Sequence, residues 1–123
     1  MKKHLSVNEF DLLDFFEAEP GQLDTNVPWI YNDSAYETSD GSIQISLAIA
    51  PAVKDVRVIL RCNGVSLYEL NALAVNDIRI RDDKGRKSLE IVLSAGNSVC
   101  ITLKPRISIS QQSLDKESSQ DTP

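Results

Sequence analysis

Asp55-Val-Arg-Val-Ile-Leu-Arg-Cys-Asn-Gly-Val-Ser-Leu-Tyr-Glu-Leu70 is the stretch that decides the fold. Two runs rich in β-formers flank Asn63-Gly64, the strongest short-range hairpin signal. Both central residues of a type I′ turn need φ > 0, which Asn tolerates and Gly takes without steric cost. So tight a turn sets the pairing: Cys62 opposite Val65, Leu60 opposite Leu67 and Ile59 opposite Tyr68. Val56, Val58, Leu60, Cys62, Val65 and Leu67 then share the core face. The same register places Glu69 opposite Val58 on that face and sends Ile59, Tyr68 and Leu70 to the other. Two resolutions stand. A bulge near Leu67-Tyr68 resets the alternation, which is the preferred one. Otherwise the second face carries an apolar group needing cover, and Ile59, Tyr68 and Leu70 become a homodimer contact.

The alternation extends outward from this hairpin. Ile43, Ile45, Leu47 and Ile49 alternate with Ser42, Gln44, Ser46 and Ala48 until Pro51 stops the run, the pattern of a half-buried strand. Downstream, Ile78 and Ile80 alternate with Arg79 and Arg81, and Leu89, Ile91 and Leu93 with Glu90, Val92 and Ser94. Val99, Ile101 and Leu103 alternate with Cys100, Thr102 and Lys104. Asp40-Gly41, Asp83-Lys84-Gly85 and Ala95-Gly96-Asn97 are the turns between them. Ala72–Val75 is a weak connection, and Ile107 and Ile109 continue past Pro105 as an edge strand. Upstream, Trp29-Ile-Tyr31 is a short aromatic run closed by the turn signal Asn32-Asp33-Ser34.

The first element reads as a helix over residues 6–17. Ser6 with Glu9 three residues on is a capping box, with Leu5 and Phe10 at the staple positions. Phe10, Leu13 and Phe16 form the apolar stripe, broadened by Leu12 and Phe15, and Asp11, Asp14 and Glu17 form an acidic face. Pro20-Gly21 ends it, and so short a helix must dock on the sheet to be stable. The fold class is therefore mainly β, an α+β domain over residues 1–110. One N-terminal helix packs on an antiparallel meander of about seven strands spanning 29–110. A sheet with one apolar face covers it by curling into a half-barrel or open barrel, or by splitting into a two-sheet sandwich. Residues 111–123 hold one large apolar residue, Leu114, and read as a disordered polar tail.

The 123 residues suffice for one core. No apolar run approaches the roughly 18 residues of a membrane span, so no membrane partner is expected. Polar Ser6, Asn8 and Glu9 follow where a signal peptide needs an apolar run, so a cytoplasmic location is expected. Cys62 and Cys100 lack metal-ligand spacing and read as small core residues. There is no GxSxG, phosphate loop or HExxH, and the only histidine, His4, lies at the start of the chain. Neither catalysis nor a cofactor or metal is expected. The net charge is −5, and residues 1–55 hold ten acids against three bases. An acidic front half argues against nucleic acid and suits a basic protein partner. Arg57, Arg61, Arg79 and Arg81 around Tyr68 are the one arrangement resembling a base-stacking patch, and snorkelling arginines explain them more simply.

The candidate contact residues are the acids and aromatics of that front half: Asp11, Asp14, Glu17, Glu19, Trp29, Tyr31, Asp33, Tyr36, Glu37 and Asp40. Aromatics flanked by acids suit a hot spot for a basic protein, whereas Trp29 and Tyr31 closing one end of the core is the plainer alternative. In size, charge and want of catalytic motifs, the chain from Met1 to about Ile109 resembles the immunity proteins of bacterial toxin–immunity pairs. That resemblance is one of type and carries no residue-by-residue motif. It implies a non-catalytic inhibitor that covers the basic active site of a nuclease-like toxin with acids and aromatics. A small-molecule-binding half-barrel with Trp29, Tyr31 and Tyr36 at its mouth, or a homo-oligomeric structural subunit, is the alternative.

Overall fold

The computed structural model describes residues 4–113. Over these the chain forms helix α1 (Glu9–Phe16), a 3-10 helix (Trp29–Tyr31) and two antiparallel sheets. The first sheet holds β1 (Gly21–Gln22), β2 (Ser34–Asp40), β3 (Ile43–Ala50), β4 (Asp55–Cys62) and β5 (Val65–Ala72) in chain order. The second holds β6 (Asp77–Asp83), β7 (Arg86–Ser94), β8 (Asn97–Thr102) and β9 (Ser108–Ser113), also in chain order. The mainly β architecture, the antiparallel meander and the N-terminal helix agree with the expectation. Of the two ways to cover the apolar face, the chain takes the split into two unclosed sheets, not the half-barrel. Ile45, Leu47, Ile49, Val56 and Val58 from the first sheet meet Ile78, Leu89, Ile91, Val99 and Ile101 from the second in one buried cluster. Burying such side chains contributes about 1.5–3 kcal/mol each.

The split occurs at Leu73–Asn76, where the sequence is least patterned. Ala74 adopts φ 51, a left-handed conformation that Ala takes only under constraint. The constraint is visible. The Ala74 N–H donates to Asp55 Oδ1 (2.9 Å) and the Val75 N–H to the Lys54 carbonyl (2.9 Å), both beside β4. One residue on, the Asn76 N–H donates to the Val92 carbonyl of β7 (2.8 Å). The backbone thus leaves one layer and enters the other within three residues.

The Asn63-Gly64 turn forms as read, with φ 52 and 81. Beyond it the register departs from the simple count. Cys62 pairs with Val65 and Arg61 with Ser66, and then Leu60 pairs with Tyr68, Ile59 with Glu69 and Val58 with Leu70. Leu67 is the extra residue, and the bulge lies where the misplaced Glu69 called for one. It turns Tyr68, Leu70 and Ala72 toward the core and Glu69 outward. Of the proposed homodimer face, Ile59 alone stays on the outer side, because the bulge turns Tyr68 and Leu70 inward. Lys84-Gly85, with φ 57 and 86, repeats the same turn type in the second sheet.

The helix begins two residues later than its capping box suggested. Asn8 is the cap: its Oδ1 accepts from the Phe10 and Asp11 N–H groups (both 2.9 Å), and Asp11 Oδ2 accepts from the Asn8 N–H (3.0 Å). Ser6 serves β6 instead, donating through its N–H (2.8 Å) and hydroxyl (2.6 Å) to the Asp77 carboxylate. The Val7 N–H donates to the Ile78 carbonyl (2.9 Å), so this segment covers the outer edge of the second sheet. With the cap moved, Leu12, Phe15 and Phe16 face inward and Phe10 faces out, 70% exposed. The 29–31 segment, expected to open the strand region, is helical, and the first long strand starts at Ser34. β9 carries the pairing to Ser113, three residues past the expected end of the domain. The rest of the expected tail, 114–123, lies outside the described residues. Both cysteines are free and half-buried. Cys100 lies opposite Glu90 on the outer face of the second sheet, not in the core, and burial pushes its thiol pKa up.

Candidate functional site

Residues 4–53 contain nine acids and not one Lys or Arg. The structure sorts these acids by what they meet. Asp11 closes the helix cap. Asp14 accepts from Lys87 Nζ at 2.8 Å, and this hydrogen bond and charge hold its carboxyl below the usual aspartate range. Glu17 pairs with Lys104, and Asp33 meets Arg57 at 3.3 Å. Glu19, Glu37 and Asp40 are exposed, and no side chain among the described residues bonds to them. The free acids do not gather in one place. Glu37 sits on the outer face of the first sheet opposite Ser46. Asp40 and Glu17 line a groove of about 280 Å³ beside Leu103 and Ile107.

The aromatics divide as sharply. Trp29 is 8% exposed and Tyr36 fully buried. Trp29 Nε1 donates to Tyr36 Oη (3.0 Å), and Phe16 stacks on the Tyr36 ring at 5.4 Å between centroids. Burial raises the Tyr36 hydroxyl pKa against the Trp29 hydrogen bond, and the nearby Glu9 and Glu19 carboxylates raise it further. These two rings are core groups that support the surface from beneath; the plainer reading of Trp29 is the one that holds. Tyr31 is different: it projects from the 3-10 helix and is 72% exposed. Below it, buried Asn32 holds the 23–33 loop closed, donating through Nδ2 to the carbonyls of Asp24 (2.6 Å) and Val27 (2.8 Å).

Two large side chains outside the candidate set stand in water in the same part of the chain, Phe10 and Leu23, the latter 84% exposed. Phe10 borders a groove of about 340 Å³ across from Pro28, Trp29 and Ile30, with Glu9 beside it. The signal for Phe10 was present in Asn8-x-x-Asp11, an alternative capping box two residues past Ser6. A third groove, about 440 Å³, lies between Asp14 and Glu17 at the end of the helix and Arg86 and Lys87 of β7 with Lys104 just past β8.

The four strand arginines form no single patch. Arg57 and Arg61 belong to the first sheet, Arg79 and Arg81 to the second. Arg79 Nε donates to Glu90 Oε1 at 2.7 Å, and Arg81 lies 3.5 Å from the same oxygen. The Glu90 side chain is 6% exposed. Burial raises its pKa, but Arg79, Ser98 and Arg81 together hold it below the usual glutamate range. Among the described residues, no group of three or more His, Cys, Asp or Glu side chains is placed to hold a metal ion. No helix among them is long and apolar enough to cross a membrane.

No protein-family model matches this chain, and no curated protein matches it. Among solved structures, the fold is similar to a chain of a contact-dependent growth inhibition toxin–immunity protein complex from Klebsiella pneumoniae 342. The TM-score is 0.75 at 17% identity, and the match covers 90% of this chain and 97% of that one. At that identity the likeness is one of fold.

Proposed function

We propose that this protein is an immunity-type inhibitor: a non-catalytic, cytoplasmic module that binds a toxin domain and blocks it. The observation that carries this reading is the fold likeness to a chain of a toxin–immunity complex, spanning nearly the full length of both chains. The acidic balance of the front half favours a basic target surface, as on a nuclease. Such a surface draws in an oppositely charged partner and raises the association rate. Within the candidate set, Glu19, Tyr31, Glu37 and Asp40 are exposed, have no side-chain partner among the described residues and are the primary contacts. Asp11, Asp14, Glu17 and Asp33 reach a partner only by exchanging the bonds they already make. Trp29 and Tyr36 hold the shape beneath them.

The test is binding to, and protection against, a toxin domain, sought first in the reading frames that neighbour this gene. Reversing Glu19, Glu37 and Asp40 to Lys slows association about tenfold or more at low salt, and the difference narrows as salt rises. Unchanged association removes these acids as contacts. Absence of any protection by the unaltered chain removes the immunity reading itself.

A further inference from the structure

We propose that the groove between the start of α1 and the 3-10 helix receives an arginine side chain of the partner, its guanidinium against the Phe10 ring and paired with Glu9. This deepens the immunity-type reading and rests on it only for the identity of the partner.

The argument begins with the ring. Leu12, Phe15 and Phe16 are all buried, yet Phe10 on the same helix is 70% exposed at the edge of an open groove. Leu5, Val7, Pro28, Trp29 and Ile30 complete the apolar lining, with His4 and Asn8 also at the groove, so it offers apolar contact on several sides. Charge then selects the occupant. Glu9 lies in the groove, exposed, with no side chain among the described residues bonded to it. Residues 4–53 hold nine acids and no Lys or Arg, and among the described residues the bases that reach in from elsewhere go to Asp14, Glu17 and Asp33. An anion is disfavoured by the same carboxylates. It also finds few amides at the helix start, because Asn8 and Asp11 between them already bond the N–H groups of Asn8, Phe10 and Asp11.

A cation with an apolar body is what remains. A guanidinium is planar, weakly hydrated and able to stack on an aromatic face while presenting two N–H groups to a carboxylate. Lysine, a compact and strongly hydrated charge, fits the Glu9 end but gains less from the ring.

The experiment titrates isotopically labelled protein with Nα-acetyl-arginine amide and, in parallel, with Nα-acetyl-norleucine amide. Arginine amide is expected to shift the amide resonances of Glu9, Phe10, Ile30 and Tyr31 selectively, with norleucine amide doing far less. Phe10→Ala and Glu9→Gln each weaken the arginine response by about two- to fivefold, the measure of an exposed cation–π contact or ion pair. Both residues are exposed, so these variants keep the fold, checked by unchanged resonances across the two sheets. Equal responses to the two amides, or shifts scattered away from the groove, overturn the inference. Protection against the toxin domain found by the test above separates the two claims. If the unaltered chain protects and the Glu9→Lys, Phe10→Ala double variant protects equally, the inference falls and the immunity reading stands. If the unaltered chain gives no protection, the immunity reading falls, and the arginine titration still decides the groove.

Discussion

Helix α1 is fastened to the body of the molecule in two physically different ways. One side is apolar: Leu12, Phe15 and Phe16 are buried, and Phe16 stacks on Tyr36, which bonds Trp29. The other side is ionic: Asp14 meets Lys87 and Glu17 meets Lys104 across an open groove. An eight-residue helix is not stable alone, so the attachment decides whether it exists. Burial supplies that attachment, because apolar area removed from water stabilises whatever the salt. Exposed ion pairs contribute little, since water screens them and ordering two long side chains has an entropic cost. The difference teaches that burial holds the helix, and that Asp14 and Glu17, which in sequence look like a free face, already have basic partners on the body of the molecule.

The largest effect that can break this comparison is Leu12→Ala. Leu12 is fully buried, and its truncation is expected to cost about 2–5 kcal/mol in denaturant unfolding. A loss well under that range would show that burial does not hold the helix. Next is Tyr36→Phe, which strands the buried Trp29 Nε1–H and costs about 1–3 kcal/mol, read by unfolding and by a change in tryptophan emission.

Glu90→Gln sharpens the ionic side with a buried case. The expected cost near neutrality is about 1 kcal/mol, below the roughly 1.5–3 kcal/mol of a bond to a charged group because Arg79 and Arg81 are half exposed. The Glu90 pKa is lowered in the folded protein, so its contribution is full above the ordinary glutamate range and lost as pH falls through the folded value. The stability curves of the two proteins should therefore converge in acid; a gap independent of pH would mean the charge plays no part. The smallest effect belongs to the exposed clasps. Lys87→Gln with Lys104→Gln should shift the melting temperature least of the four, and the shift should vanish in about 1 M salt. A large, salt-resistant loss would reverse the ranking of the two attachments.

Legibility followed the range of the forces involved. Asn63-Gly64 could be read because a type I′ turn is a local matter of two φ angles. The bulge at Leu67 could be located because a charged Glu69 on a core face is costly enough to force a reset. The helix start was misplaced because Ser6-x-x-Glu9 and Asn8-x-x-Asp11 are equally good capping boxes in sequence. Asp77, seventy-one residues away, takes Ser6 and settles the choice. That one contact also carried Phe10 from the apolar stripe to the surface. In the candidate surface, the abundance of acids was evident, but their division was not, since the bases that engage Asp14, Glu17 and Asp33 come from other strands.

The sequence by itself determined the mainly β class, the antiparallel order of strands, the tight turns and the acidic front half, because each depends on periodicity, turn chemistry or composition. Only the tertiary structure decided that the meander breaks into two sheets at Ala74, which acids are left free, and that Trp29 and Tyr36 lie inside while Phe10 and Tyr31 lie outside. Those outcomes depend on contacts between residues far apart in the chain, and alternation along a strand says which side a residue faces but not what stands opposite it.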